Sequence, residues 1–138
     1  TLGDVLEHME IHYDRTVTYD QPILAGGPAQ PDRGFVLHPP GERWESTLQI
    51  SDAVSITTSQ DILQAISQQA GPDDVIVALG YAGWEEGQLE QELKDNVWLS
   101  TPATSDILFD VPFEQRWRAA AAGLGVNLDN LSSQIGHA

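Results

Sequence analysis

The sequence predicts a single layered domain over residues 1–138, of mixed α/β class and of the α+β type. Helical and strand-like segments follow one another without strict alternation, which does not suit a doubly wound fold. The run VIVALGYA at 75–82 is almost continuously apolar and rich in β-branched residues, as in a strand buried on both faces. With 138 residues, 41% of them hydrophobic, the chain is large enough to bury one core.

The first half of the chain is predicted to hold one helix and four strands. The opening segment TLGDVLEHMEI places Leu2, Val5, Leu6 and Met9 on one helical stripe, which indicates a short amphipathic helix. The predicted strands are short apolar runs bounded by proline, glycine or a turn: QPILAGG (21–27), GFVLH (34–38), STLQIS (46–51) and AVSIT (53–57). A turn at 51–52 joins the last two.

The second half is predicted to hold three helices around the long apolar strand. In TTSQDILQAISQQAGPDD (57–74), Thr58 and Asp61 have the spacing of a capping box that begins a helix. The remaining predictions are a helix in GWEEGQLEQELKDN (83–96), a strand in VWLS (97–100) and a final helix in DVPFEQRWRAAAAGLG (110–125), capped near Asp110.

Charge is the strongest signal in the composition. The chain has 21 Asp plus Glu against 6 Lys plus Arg, a formal net charge of −15. A protein that binds nucleic acid directly needs clustered cations to neutralise phosphates, so no direct nucleic-acid binding is expected. An acidic surface instead attracts a basic protein partner. No apolar stretch approaches the roughly 20 residues of a membrane span, and we expect a cytoplasmic protein without membrane contact.

No catalytic or cofactor motif stands out. Cysteine is absent, which excludes disulfides and thiolate catalysis. The glycine turn before the 83–96 helix has neither GxGxxG nor a P-loop lysine, and Glu85 and Glu86, expected in its first turn, would repel an anion. Ser59, Asp61, Asp32 and His38 could form a hydrolase-like set on paper, but no GxSxG surrounds a serine. The sequence therefore favours a protein that is not an enzyme and has no cofactor.

A metal site is also not expected. His8 and His12 are four residues apart and would share a face of a helix, but the pair is not the HExxH of zinc proteases. Further ligands of the right type are missing around them. We predict two solvent-facing histidines here, and hydrogen-bonded or exposed imidazoles at His38 and His137.

The stretch GGPAQPDRGFVLH (26–38) carries the most interesting charged residues. Gly26, Gly27 and Pro28 are expected to shape a turn that leads into the strand. Arg33 follows Asp32 directly, so it either forms a local ion pair that braces the turn or is offered to an anionic group, which its planar guanidinium suits. The large aromatic residues Trp84 and Trp98 are first expected in or near the core.

Several of these motifs together resemble the YqgE/AlgH family of uncharacterised bacterial proteins. They are GGP, DRGFVLH, TTSQDIL, ALGYAGWEEGQLEQEL, NVWL and the closing GHA. The resemblance implies a bent, partly split mixed sheet that forms a pseudo-barrel flanked by helices, in a cytosolic protein. One member's name reflects a proposed role in regulating alginate synthesis. Members usually begin several dozen residues earlier, so we expect a chain shortened at its N-terminus, with apolar surface exposed there or matched to a partner chain.

Two classes of function remain open. The first is an indirect transcriptional regulator or scaffold that acts through a protein partner. The second is a small-molecule-binding protein or an unrecognised enzyme, whose site unites the turn near Arg33 with the turn near Trp84 in one pocket. The candidate ligand-binding residues are Gly26, Gly27, Pro28, Asp32, Arg33, His38, Tyr81 and Trp84. The sequence leaves the oligomeric state open.

Overall fold

The structure is a computed structural model that describes residues 1–124. The chain divides into two compact units, residues 1–81 and residues 82–138. The organisation of residues 1–138 as a single domain stays a prediction. His137 and the closing GHA motif lie outside the described residues.

The first unit contains two helices and five strands. The helices are α1 (Leu2–His8) and α2 (Asp61–Ser67). The strands are β1 (Leu24–Ala25), β2 (Ala29–His38), β3 (Thr47–Gln49), β4 (Ser55–Thr57) and β5 (Ile76–Tyr81). The helix and strands predicted for the first half, and the apolar strand at 75–82, are all present.

The five strands form one mixed sheet in the order β1-β5-β2-β4-β3. β1 runs parallel to β5, and the other neighbouring pairs are antiparallel. The sheet formed by these five strands does not close on itself, because within the described residues β1 and β3 each have a neighbour on one side only. The predicted mixed α/β class, with a mixed sheet flanked by helices, is confirmed.

Both helices of the first unit pack their apolar stripes on one face of the sheet. Leu2 and Leu6 of α1 and the Ile62, Leu63 and Ile66 side chains of α2 form one buried cluster with Val36 and Val77 of the central strands. Burying an aliphatic side chain of this size stabilises a fold by roughly 1.5–3 kcal/mol. This cluster explains why short helices of seven residues persist, since isolated helices of that length are marginal in water.

Helix α2 begins differently from the prediction. The predicted capping box of Thr58 and Asp61 is absent, because the N-cap is Gln60, whose side chain makes no capping bond. The Asp61 carboxylate instead accepts hydrogen bonds from Ser59 Oγ and from the backbone N–H of Glu45. Asp61 therefore ties the start of the helix to the segment before β3, and the predicted place of Ser59 at the helix start is confirmed.

In residues 82–124, the described part of the second unit, there are two α-helices, α3 (Gln88–Lys94) and α4 (Phe113–Ala122). The prediction for α3 was wrong at its start, because the left-handed Gly87 (φ +79°) caps the helix. Glu85 and Glu86 consequently precede it. The strand predicted at 97–100 is also wrong, since these residues belong to no strand.

A π-helical turn (Asp106–Asp110) precedes α4. The cap predicted near Asp110 falls inside this turn, and Pro112 is the N-cap of α4. Proline suits the start of a helix because its missing N–H would have no intrahelical partner there. The final helix itself is confirmed.

The glycines around β1 and β5 allow two backbone segments to approach closely. The Gly26 N–H donates to the Leu79 carbonyl at 2.8 Å. A Cβ placed on Gly26 would lie 2.2 Å from the Gly80 carbonyl oxygen, and one on Gly80 (φ +79°) would lie 2.4 Å from the Gly27 carbonyl oxygen. Glycine is thus required at Gly26 and Gly80 by backbone packing.

We predict that Gly26→Ala lowers the free energy of unfolding by roughly 1–3 kcal/mol, because the new methyl group forces the backbone of β5 to move. The matched control is Gly34→Ala, whose Cβ would meet only Leu79 Cδ2, at 3.8 Å. The control should change stability by less than about 0.5 kcal/mol. Urea unfolding of both variants measures the difference, and equal stability of the two variants would contradict the packing role of Gly26.

Candidate functional site

Asp32 and Arg33 lie on a bulge in β2 and not in the turn before it. β2 pairs with β5 at Ala29 opposite Tyr81 and again at Gly34 opposite Leu79, so β2 holds three more residues than β5 between these points. Extra residues of this kind leave a strand unpaired locally. Residues 30–33 are exposed as a result.

The bulge brings two predicted site residues into one aromatic stack. Arg33 Cζ lies 5.6 Å from the centre of the Phe35 ring, and the Phe35 and Tyr81 rings meet edge to face at 6.0 Å. Within residues 1–124 Arg33 forms no ion pair, so the predicted Asp32 contact is absent. A guanidinium group in general suits anionic and planar partners. Phe35, which links Arg33 to Tyr81, was missed as a site residue.

A small cavity begins beside this stack. It measures about 150 Å³ and lies between the sheet and the two helices of the first unit. Its walls are mainly apolar, and Asp32, Gly34 and Phe35 are among the residues that line it. A cavity of this size accepts one small apolar group at most.

His38, at the end of β2, is fully buried and completely hydrogen-bonded. Its Nδ1 lies 2.9 Å from the Pro39 carbonyl oxygen and its Nε2 2.7 Å from Thr57 Oγ1. Thr57 Oγ1 in turn lies 2.8 Å from Thr47 Oγ1, which accepts a 2.8 Å hydrogen bond from the Trp44 N–H. The chain of bonds ties β2, β4 and β3 to the segment that carries Trp44.

The donor in each of these hydrogen bonds follows from which atoms can carry a proton. A carbonyl oxygen only accepts, so His38 Nδ1 carries the proton. In a neutral imidazole Nε2 then accepts from the Thr57 hydroxyl, which itself accepts from the Thr47 hydroxyl. Every polar side-chain atom in this series of hydrogen bonds has a partner, as buried groups require. His38 is therefore a buried, hydrogen-bonded histidine at the edge of a cleft, in agreement with the prediction of a hydrogen-bonded or exposed histidine.

A cleft beside His38 is a second candidate site in the first unit. Its volume is about 310 Å³. We call it the acidic cleft, and it is lined by His38, Pro39, Pro40, Glu42, Trp44, Gly71, Pro72, Asp73 and Asp74. Among the described residues that line it, none is lysine or arginine. The Trp44 ring packs edge to face on His38 at 5.2 Å.

Two turns bring the carboxylates of the acidic cleft together. Glu42 follows the Pro39-Pro40 turn after β2, and Asp73 and Asp74 follow Gly71-Pro72 after α2. Gly71 packs against the last turn of α2, where a Cβ would lie 2.7 Å from Ile66 Cγ1. Carboxylates beside an indole attract a cation such as a lysine ammonium or an arginine guanidinium. They repel an anion such as a phosphate.

The hydrolase-like set is not assembled by hydrogen bonds. Ser59 Oγ donates to Asp61, whereas both ring nitrogens of His38 are occupied by Pro39 and Thr57. A triad needs the base to contact the nucleophile. The structure thus gives no support to catalysis by Ser59 and His38.

The histidine pair does not share a helical face. α1 ends at His8, and Glu10 has a positive φ of 58°, so His12 lies beyond the helix. Both histidines are exposed, as predicted. Within residues 1–124 no group of three or more histidine, aspartate or glutamate side chains is placed to hold a metal ion.

In the second unit, Trp84 and Trp98 converge on one carboxylate. Both indole N–H groups donate to Glu92 Oε2, at 2.9 and 2.8 Å, and the rings meet edge to face at 5.9 Å. Trp84 is 39% exposed, so its predicted place in or near the core is wrong, whereas Trp98 is half-buried. The hydrogen bond from Trp98, then that from Trp84, lowers the pKa of Glu92. Glu92 was not singled out from the sequence.

The predicted ligand-binding set is thus divided. Arg33 and Tyr81 are joined through Phe35, Asp32 lines the small cavity, and His38 lines the acidic cleft. Trp84 belongs to the second unit, and a pocket shared by Arg33 and Trp84 stays a prediction. Three acidic residues of the cleft were not predicted as site residues, namely Glu42, Asp73 and Asp74. The sequence holds a signal for them, because each follows a proline turn either directly or after one intervening residue.

Comparison with known proteins gives consistent matches. A family model described as AlgH-like matches residues 1–129. The chain is 56% identical to a UPF0301 protein of Thioalkalivibrio sulfidiphilus and 54% identical to one of Nitrosococcus oceani, over 138 residues and 74% of each relative. The solution structure of the AlgH protein from Pseudomonas aeruginosa is similar, with a TM-score of 0.75 and 51% identity over 99% of this chain and 72% of that chain.

In the described part of the chain, no helix combines the length and hydrophobicity needed to cross a bilayer.

We predict that the Glu92 carboxyl titrates below its ordinary range and that Trp98→Phe raises its pKa. The indole N–H groups bond the charged carboxylate and so favour it. Because the folded pKa is depressed, the stabilisation is present at neutral pH and is lost as the pH falls through that folded pKa. Carboxyl chemical shifts followed by NMR measure both midpoints. An unchanged Glu92 midpoint in Trp98→Phe would contradict this cause.

Proposed function

This chain belongs to the AlgH-like family of uncharacterised proteins, and from that premise we propose that it is an interaction protein that binds a basic segment of a protein partner. The observation that carries this proposal is the acidic cleft. Glu42, Asp73 and Asp74 face one cavity with Trp44, and carboxylates with an aromatic ring suit a lysine or arginine side chain. The formal net charge of −15 adds long-range attraction for such a partner.

The same charge bears on the kind of regulation that this protein could exert. Direct contact with nucleic acid requires cations that neutralise phosphates, and this chain has 6 Lys plus Arg in total. We therefore propose a cytoplasmic scaffold or an indirect transcriptional regulator, whose effect on a gene passes through the bound partner.

The proposal is tested by removing two charges from the acidic cleft. Asp73→Asn/Asp74→Asn should weaken partner capture from a cell extract about tenfold or more, because hydrogen bonds and charge pairs in the cleft are lost. The matched control is Glu86→Gln/Glu90→Gln, which removes the same number of charges from the second unit. This control variant should weaken partner capture by about twofold or less. Charges outside the binding site act on the partner only through a long-range field, which salt screens.

Quantitative mass spectrometry of the captured proteins, at low and at high salt, measures both effects. Capture by the parent chain should fall steeply as salt rises. Equal losses in the two double variants would mean that net charge alone drives capture and that the acidic cleft is not the binding site. No reproducible partner at low salt would remove the proposal altogether.

A second candidate function is the binding of a small anionic molecule, with or without catalysis, near Arg33. The observation that favours it is the exposed guanidinium on Phe35, beside the cavity of about 150 Å³. The inclusion of Trp84 in the same site stays a proposal. The ligand would present a carboxylate or phosphate to Arg33.

For this candidate, a metabolite that binds the native chain should raise its thermal midpoint by mass action. Arg33→Ala should abolish the rise, whereas Arg43→Ala, at another exposed arginine, should retain it. A thermal-shift screen of carboxylates and nucleotides measures this. A ligand whose effect persists in Arg33→Ala, or a silent screen, would count against the candidate.

A further inference from the structure

Strand β3 is an open edge of the sheet. Among residues 1–124 it pairs with β4 only, at the end of the strand order. The Thr58 N–H bonds the Ser46 carbonyl, and the Ile50 N–H bonds the Val54 carbonyl, so alternate residues of this strand face β4. By the alternation of an antiparallel ladder, Gln49 directs its N–H and C=O away from β4. An edge of this kind is a template for another strand.

The edge also carries exposed apolar side chains. Leu48 is 64% exposed and Ile50 is 53% exposed. The register places Leu48 opposite Ile56, Ile56 opposite Leu37, and Leu37 opposite Ile76. This apolar row lies on the sheet face opposite Val36 and Val77, because side chains alternate along a strand. It therefore continues across four strands and ends in solvent at Leu48.

The surroundings of β3 are acidic. Glu42 and Glu45 precede the strand and Asp52 follows it, and the one cation in residues 42–52, Arg43, donates a hydrogen bond to the Thr47 carbonyl oxygen at 3.3 Å. The acidic cleft is directly connected to the strand, because the Trp44 N–H bonds Thr47 Oγ1 at 2.8 Å. A strand added along β3 would thus have its apolar side chains on Leu48 and its basic side chains near these carboxylates.

We propose that β3 accepts an extended basic segment of a partner protein as an additional strand of the sheet. This inference rests on the proposed partner-binding function and adds a second surface beside the acidic cleft. Backbone hydrogen bonds from Gln49 supply affinity, and the alternation of apolar and basic side chains supplies specificity. A second copy of this chain is a poor occupant, because two chains with a formal net charge of −15 repel each other.

The probe is an acetylated seven-residue peptide that alternates lysine and valine, with a glutamate–valine peptide of equal length as the control. Calorimetry measures its affinity for the full 138-residue chain. Gln49→Pro removes the outward N–H at a position where an edge strand tolerates proline. Gln49→Ala keeps that N–H and is the matched control. Leu48→Ser is compared with Leu99→Ser, since Leu99 is an exposed leucine in the second unit.

The lysine–valine peptide should bind the parent chain and Gln49→Ala within about twofold of each other. Gln49→Pro should weaken binding about tenfold, an effect equal to roughly 1.4 kcal/mol. Leu48→Ser should weaken it several-fold more than Leu99→Ser does. The NMR spectrum of Gln49→Pro shows whether this variant folds. If it does not fold, the comparison of Leu48→Ser with Leu99→Ser tests the inference.

Three results would overturn the inference. The first is no binding of the lysine–valine peptide at low salt, or equal binding of the glutamate–valine peptide. The second is equal affinity of Gln49→Pro and Gln49→Ala, or, if Gln49→Pro does not fold, of Leu48→Ser and Leu99→Ser. The third is a dimer of the chain alone, seen by sedimentation, that Leu48→Ser dissociates.

Different results reject the acidic cleft and β3 as binding surfaces. If partner capture still responds to Asp73→Asn/Asp74→Asn while peptide binding ignores the Gln49 and Leu48 variants, the acidic cleft binds the partner and the edge strand does not. If peptide binding follows those variants while capture ignores the cleft variant, β3 is the binding surface and the cleft proposal fails.

Discussion

The hydrogen bond between His38 and Thr57 holds together the end of the sheet on which both proposed surfaces lie. Both residues are fully buried, and a buried polar group without a partner costs on the order of 1–3 kcal/mol. The bond joins β2 to β4, Thr47 extends it to β3, and the Trp44 N–H completes it. The wall of the acidic cleft and the edge strand are therefore set by one connected network.

Charge acts at two distances in this protein. The formal net charge of −15 produces a long-range field that attracts basic partners and repels phosphate, and salt screens it over about 8–10 Å. At short range, three acidic residues and Trp44 line the acidic cleft. We propose that the long-range field brings a basic partner to the surface and that the cleft selects the place where the partner binds.

Local patterns in the sequence were sufficient for most of the fold. The apolar stripe of Leu2 and Leu6 and the run at 75–82 correctly predicted α1 and β5, because burial on one or both faces decides such elements. Predictions that rested on local capping or short runs failed where tertiary contacts decide. Asp61 bonds Glu45 instead of completing a cap, and VWLS (97–100) has strand-like residues but no partner strand.

The candidate site was harder to predict because its residues are distant in the chain. Glu42 and Asp73 are about thirty positions apart, and they meet only as walls of one cleft. Arg33 and His38 were predicted in one ligand-binding set, yet they have different neighbours, Phe35 for Arg33 and Thr57 for His38. The residue types indicated which ligand chemistry each side chain suits, but long-range contacts determined which of these side chains lie together.

The central claim, that the acidic cleft recognises a basic side chain, is tested most directly by NMR titration of the chain with N-acetyl-arginine methylamide. The indole N–H signal of Trp44 should shift in a saturable manner, while that of Trp84, in the second unit, stays in place. N-acetyl-glutamate methylamide should shift neither signal. A Trp44 signal that does not move, or that moves equally with both compounds, would contradict the claim.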